Sequence, residues 1–424
     1  MKSNRRIFLL AVCVFWLFGC AGPLSQNQND EIGRTDPVLE VAASNNRFAA
    51  DMFSVLAREE GNFLFSPVSL STALAMAYAG ATDQTALEMA AAMHIDQTDQ
   101  QLLVGSAGLL DKLQRSPKGQ ILKISNSLWI DSKTVVEDVF LRTTDRYYGA
   151  DPIRVDFRQN YSEATKQINQ AVSEQTEGKI KNLIPPNVLN EWTRLVLTNA
   201  VYFNAKWRYT FLESETKTGD FFVEPKQARS MDFMNQISQY RYFESGGLRG
   251  LEIPYLGQAT SLVVLLPQRK GAIRKLESQL SSGKVTRLLS KLYRSDSVPV
   301  DLRIPKFSVE SDFGLADILQ ELGMSQAFTN SAQFFGMVKP AAQVPPERYG
   351  VKIDDVLQKT FIEVNENGTE AAAATAIEMV QITGGSRRPP PPPIPFHADH
   401  PFVFLLVHNE TKAIVFMGRF DGSD

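Results

Sequence analysis

Residues 360–382 read TFIEVNENGTEAAAATAIEMVQI, and the fold turns on how that stretch is understood. Thr360 to Asn365 is rich in β-branched and aromatic residues and reads as a strand. The alanine-rich TEAAAATA that follows, at 369–376, supports two readings. Alanine and glutamate are good helix formers, so taken alone the segment is a helix or an inert linker. Taken instead as a strand, its side chains alternate between two faces. One parity reads Thr369, Ala371, Ala373, Thr375, Ile377, Met379 and Gln381, with no charge and four small residues at its start. The other parity carries Glu370 and Glu378, which such a strand would point to solvent. No proline occurs from Thr369 through Ile382, so no ladder donor is missing. The segment has the composition of a central strand.

Downstream, Thr383-Gly384-Gly385-Ser386-Arg387-Arg388 is polar, and Pro389 to Pro393 continues through Ile394-Pro395. The proline run is a stiff stalk, at about 3.1 Å per residue, or a passive spacer. Together these segments form an exposed excursion between two strands, and long excursions in compact domains are often functional. Upstream, the apolar residues of Pro37–Arg58 recur at helical spacing. In NFLFSPVSLSTALAMAYAGA (62–81) a short strand, Phe63 to Phe65, leads to Ser66 as helix N-cap and Pro67 in the first turn. The helix body is apolar nearly all round, so it is buried. Further helical runs lie near 84–94 and 161–178, and strand runs at 121–130, 195–203, 261–267, 298–309, 402–408 and 413–420. The absence of any period of 20 to 50 residues excludes a solenoid. Strands dominate the second half, which argues for an α+β fold with mostly antiparallel sheets.

The 424 residues are 43% hydrophobic and 21% charged, enough to bury a large core. A net charge of −3 and a pI near 6.0 predict no broad attraction for nucleic acid or acidic lipid. At the N-terminus, Lys2, Arg5 and Arg6 precede an apolar run from Ile7 to Phe18, the layout of an export signal and too short to span a bilayer. The run ends in Leu17-Phe18-Gly19-Cys20, similar to the bacterial lipobox, in which a small residue precedes a cysteine that is acylated. Residues 1–19 are therefore expected to be a lipoprotein signal peptide, Cys20 the lipidated residue, and 20–40 a flexible tether. A plain signal peptide with an incidental cysteine is the alternative. Cys13 lies in the segment to be removed, so the mature chain can form no internal disulfide. Ala21 is not acidic, which favours the outer membrane, at its periplasmic or cell-surface face.

Catalytic chemistry is missing from the chain. No HExxH, GxSxG, Walker A or dinucleotide GxGxxG motif occurs, so neither a cofactor nor a metal is expected. The four histidines, His94, His397, His400 and His408, read as surface or packing residues. Glu59-Glu60 and Asp354-Asp355 read as solvated loop charges. No enzymatic constellation is present.

Five stretches in order resemble the serpins, a family of serine protease inhibitors. They are NFLFSPVSLSTALAMAYAGA at 62–81, SEQTEGKIKNLI at 173–184, TNAVYFNAKW at 198–207, TFIEVNENGTEAAAATA at 360–376 and HPFVFLLVHNETKAIVFMGRF at 400–420. The resemblance covers residues 41–424. It implies a serpin fold of three β-sheets and eight to nine helices, with an exposed reactive-centre loop at about 366–396. It also implies a mechanism: the loop is offered as substrate, the protease forms an acyl-enzyme with it, and the cut loop inserts into the central sheet. About a dozen new backbone hydrogen bonds, at about 0.5–1.5 kcal/mol each, would make that step effectively irreversible.

By the same resemblance the hinge comprises Glu366, Gly368, Thr369, Glu370, Ala371, Ala372, Ala373 and Ala374. The scissile bond is expected at Ile382-Thr383, suited to elastase-like or subtilisin-like proteases. If the extra loop length lies ahead of the cut, Arg387 or Arg388 is the bait and a trypsin-like enzyme the target. Ser66, Ser69 and Asn199 match positions that control sheet opening, Trp207 matches the place where the loop enters, and Gln358 stands where many members carry histidine. A monomer is implied. The alternative is a non-inhibitory binding or structural member whose loop is cut as an ordinary substrate.

Overall fold

The computed structural model describes residues 36–115, 117, 119–150, 152–338, 351–369 and 392–423. Among them are nine α-helices: α1 (Pro37–Leu56), α2 (Pro67–Tyr78), α3 (Asp83–Ala92), α4 (Asp99–Gln114), α5 (Asp138–Tyr148), α6 (Phe157–Gln175), α7 (Ile273–Glu277), α8 (Ser282–Tyr293) and α9 (Ala316–Glu321). The strands are β1 (Phe63–Phe65), β2 (Gln120–Asp131), β3 (Ile153–Val155), β4 (Leu195–Lys206), β5 (Lys217–Glu224), β6 (Gln227–Ser245), β7 (Leu248–Pro254) and β8 (Thr260–Pro267). They continue with β9 (Ser297–Pro305), β10 (Phe307–Gly314), β11 (Asp355–Asn365), β12 (Gly368–Thr369), β13 (Ile394–His397), β14 (Phe402–His408) and β15 (Ile414–Phe420).

The folded unit starts earlier than the expected boundary at 41, because Asp36 caps α1 by accepting from the Val38 N–H at 2.9 Å and Pro37 fits the first turn. The run expected as one strand at 298–309 is two. Pro305 has no N–H with which to extend the ladder, so β9 ends there and β10 enters the other sheet.

Two hydrogen-bonded networks result. One holds six strands in the order β10-β11-β12-β4-β2-β3, with β11 also pairing β4 directly. The other runs β1-β15-β14-β8-β7-β6-β9-β13, with β5 on β6. The nineteen-residue β6 divides this second path. Its residues 227–241 pair β5 and β9, and only 241–245 pair β7. The three expected sheets are thus the six-stranded one and two groups joined through β6.

Burial follows strand parity. Leu122, Val201, Phe203, Ile362 and Val364 of the six-stranded sheet pack against Leu262, Val264, Phe404 and Leu406 of β8 and β14. Its opposite face, at Trp129, Val196, Ala200 and Leu357, is covered by Ile168 and Val172 of α6. The buried α2 lies beneath the same sheet, with Ser66 as its cap.

Candidate functional site: the seam between two central strands

β4 and β11 meet as a parallel pair over only part of their length. Asp355 to Thr360 pair with Val196 to Val201. Beyond that point the two strands separate, and β12 sits between their ends. Thr369 pairs with Val364 on one side and Ala205 on the other, and Gly368 pairs with Asn365 and Lys206. Gly368 and Thr369, the first residue of the alanine-rich segment, are therefore already a strand, antiparallel to both neighbours.

The open end is built from residues that fix this short strand. Gly368 has φ +150°, and a Cβ there would lie 2.0 Å from the Ala205 carbonyl oxygen, so only glycine fits. Thr369 is fully buried, with its Oγ1 2.6 Å from the Tyr255 hydroxyl. Its inward orientation matches the uncharged parity read from the sequence. Tyr255 stacks on Trp207 at 4.4 Å, and burial pushes its phenol far above the ordinary value, so it stays neutral. The Trp207 indole donates to the Asn365 carbonyl at 2.8 Å, and its backbone N–H donates to Asn367 at 3.1 Å. Trp207 thus packs and also holds the turn that precedes the hinge. Glu366 is buried; Thr216 donates to its Oε1 at 2.7 Å and Lys306 pairs with its Oε2 at 3.1 Å. Burial opposes its ionisation, but the bonds from Thr216, its own backbone N–H and Lys306 prevail and hold the carboxyl below the usual glutamate range.

The closed end is built differently. Gln358 and Asn199 stand opposite each other across the parallel pair, and both are fully buried. The Gln358 Oε1 accepts from the Ser66 N–H at 2.8 Å while its Nε2 donates to the Ser66 carbonyl at 3.0 Å. This two-point clamp ties β11 to the cap of α2. Ser66 Oγ donates to the Val415 carbonyl at 2.7 Å, and Ser69 Oγ donates to Asn126 Oδ1 at 2.5 Å. Asn199 Oδ1 is 3.3 Å from Ser69 Oγ, whose single proton is engaged with Asn126. Among the described residues the Asn199 Nδ2 is buried without a partner. In the resting molecule the expected polar network is complete on the Gln358 side and incomplete on the Asn199 side.

Asn126, Tyr255, Thr216 and Lys306 belong to these two ends and were not singled out in the sequence. Asp354 corrects an expectation. Rather than a solvated loop charge, its Oδ2 accepts the backbone N–H groups of Arg194 at 2.5 Å and Leu195 at 3.2 Å, fastening the start of β4 to β11. Asp355 is half-buried at the first residue of β11, and burial raises its carboxyl above the ordinary value. Each histidine is spent on a separate partner: His94 on Asp51, His397 on Asp301, His400 on Asp399 and the Pro267 carbonyl, and His408 on Thr411. His400 and His408 are buried, which fits packing roles. Among the described residues no group of acidic, histidine or cysteine side chains could hold a metal ion. Cys20, Glu370, Ala371 to Ala374, Ile382, Thr383, Arg387 and Arg388 lie outside the described residues.

A parallel pair held at one end and wedged open at the other by its own downstream chain is the arrangement of a sheet that admits an added strand. Residues 43–421 match the serpin family, described as serine protease inhibitors, and the chain belongs to it. It is 35% identical to a serpin-like protein of Thermococcus kodakarensis across 98% of each chain. It is 33% identical to the human leukocyte elastase inhibitor, across 90% of this chain and 99% of that one. Serpin48 of the insect Tenebrio molitor, described as highly specific, superimposes with a TM-score of 0.78 at 31% identity, over 91% of this chain and 98% of that one. Maspin superimposes with a TM-score of 0.81 at 27% identity.

Proposed function

We propose that this chain is a single-use inhibitor of serine proteases, not an enzyme, that traps its target by completing the strand which β12 begins. The observation that carries the reading is Thr369, seated inward between β4 and β11 while six residue pairs further along keep the seam shut. Register arithmetic extends it. Continuing β12 antiparallel to both neighbours puts residues 370–372 beside 361–363 and 202–204, where the two strands are already apart. Ala373 onward would have to displace the parallel pair. Each backbone bond broken there is replaced by bonds on two new edges, so the net gain is smaller than a plain count of new bonds suggests.

In the same register Thr375 falls level with both Gln358 and Asn199, on the inward parity. Its hydroxyl would reach the unpartnered Asn199 amide. On the outward parity, the levels of Ala374 and Ala376 lie beside Ala200, Leu357 and Thr198. Parity alone sends that face to solvent, but α6 covers Ala200 and Leu357. Small side chains on both parities suit a strand that must pass between the core and a helix. About thirteen further residues, at about 3.3 Å each, span about 43 Å and bring Ile382 level with Trp192.

The scissile bond is assigned to Ile382-Thr383, with elastase-like or subtilisin-like targets, because in this register residues 370–379 run the length of β4 and Ile382 falls just past its first residue, Leu195. Incubation with elastase, subtilisin and trypsin tests this. A covalent complex that survives denaturing electrophoresis, with a released peptide beginning at Thr383, is the expected result. A peptide beginning at Arg388 or Pro389 moves the bond to the arginines and the target to a trypsin-like enzyme. Cleavage without a complex makes the chain a non-inhibitory serpin. The protein acts as a monomer on a lipid anchor at Cys20, exported to the outer membrane at its periplasmic or cell-surface face. Mass spectrometry of the exported protein should find a diacylglyceryl cysteine as residue 20, and Cys20→Ala should abolish it.

A further inference from the structure

The net charge of −3 conceals an uneven distribution. Residues 269–296 contain Arg269, Lys270, Arg274, Lys275, Lys284, Arg287, Lys291 and Arg294 against only Glu277 and Asp296. Glu277 is buried and pairs with Arg419 and Arg274, and Lys270 is taken by Asp399. The cations of α8 and its cap are different. Lys284, Arg287, Lys291 and Arg294 form no ion pair among the described residues, and the last three are exposed. At about 100° per residue the four fall within an arc of about 80°. Val285, Leu288, Leu289 and Leu292 occupy the face turned to the core, against α1. Arg287, Lys291 and Arg294, with Ser290 and Ser295, line a shallow concavity of about 580 Å³. Fork-shaped guanidinium groups beside hydroxyls are suited to oxyanions, phosphate above all.

The neighbouring element says what covers this face. α8 runs alongside α1: Arg274, just ahead of α8, reaches the α1 C-cap, and Lys412, held by Asn46 of α1, lies over the Tyr293 ring at 3.7 Å. α1 is the helix that the tether enters. From Cys20 to Asp36 is a span of about 16 residues, whose root-mean-square reach as a flexible chain is about 22 Å. The contacts at Asn46 and Ala57 lie about 14 and 30 Å along α1 from Pro37, where the tether joins, distances of the order of the tether's own reach.

We propose that the basic face of α8 docks on an anionic, phosphate-bearing lipid surface and lays the folded unit against the membrane that holds it. The proposal rests on the reading of Cys20 as the anchored residue. Docking is a second, weaker attachment, made cheap by the effective concentration the tether imposes. It fixes which side of the molecule faces the membrane.

The test uses residues 36–424 without lipid, so its result does not depend on the anchor. This part holds every described element, and relatives matched over 98–99% of their own length correspond to 90% of this chain. Vesicles of phosphatidylcholine with about 30% phosphatidylglycerol are compared with neutral phosphatidylcholine vesicles at low and physiological salt. The expected result is salt-sensitive binding to the anionic vesicles only, weakened about a hundredfold in R287E/K291E/R294E. The control K133E/K181E/K226E carries the same charge change on other exposed lysines and should bind nearly as well as the parent. Should charge reversal unfold the protein, R287Q/K291Q/R294Q replaces it and should still lose most of the binding. The proposal is overturned if the parent ignores anionic vesicles, if both triple variants weaken equally, or if the patch binds soluble polyphosphate but not vesicles.

Discussion

The two ends of one seam are closed by opposite means. At the wide end, Gly368 and Thr369 have entered between the strands, and Tyr255, Trp207, Glu366 and Lys306 hold them there. At the narrow end, six pairs of β4 and β11 remain together, and Gln358 clasps the backbone of Ser66 under them. The wide end is well satisfied: its buried hydroxyl, carboxylate and indole all have partners. The narrow end is less so, because among the described residues the Asn199 Nδ2 has no partner. The clamp at Gln358 and the unmet amide at Asn199 thus stand directly opposite each other across the seam. The proposed single-use inhibition would draw on that asymmetry, with a start already made and a barrier further in.

The most damaging change is Thr369→Arg at the wide end. It places an uncompensated charge in a site with no solvent access, at a cost of several kcal/mol. The covalent complex should disappear on denaturing gels while loop cleavage continues; undiminished complex would show that the seated threonine is incidental. Next is Gln358→Ala, which strands the buried N–H of Ser66, while the Ser66 carbonyl keeps its bond from the Leu70 N–H. We expect the intact form to lose about 1–3 kcal/mol in denaturant unfolding, with a smaller loss in the cut form. Equal losses in both forms would remove Gln358 from control of the seam.

A third change concerns pH. Glu366 has its ionisation eased in the folded state, so its contribution is fully present above the ordinary value of 4.5 and fades as pH falls through the lower folded value. Thermal melts of the intact protein should show stability declining below about pH 4.5, and Glu366→Gln should flatten that decline. The smallest expected effect belongs to Thr375→Val. It should cost the cut form about 1 kcal/mol and leave the intact form unchanged. A loss in the intact form instead would break the register that aligns Thr375 with Asn199.

The seam was legible in the sequence where a single strand carries its own pattern. The alternation from Thr369 onward identified the inward parity, and the structure turns Thr369 inward. Ser66 was readable as a cap because a serine before proline at the head of an apolar run has one local use. What depends on register between distant strands was not readable. Asn126 becomes a partner of Ser69 only because β2 pairs with β4 in one alignment, and no local pattern announces it. Tyr255 meets Thr369 through an isolated bridge to Trp207, 48 residues away in the chain. Asp354 looks like a loop charge until β4 arrives beside it. The ribbon of β5 and β6 escaped notice because its exposed polar residues break the alternation that marks a half-buried strand. The basic face of α8 was hidden by averaging, since whole-chain charge says nothing of where the lysines stand.

The account depends on the cut loop becoming a full strand between β4 and β11. Its most direct test is to melt the intact protein beside protein nicked in the 382–388 region by a catalytic trace of protease. Loop insertion predicts that the nicked form unfolds at a markedly higher temperature than the intact one, by about 12 °C if the gain approaches ten kcal/mol. A nicked form that melts with the intact protein, or below it, would contradict insertion.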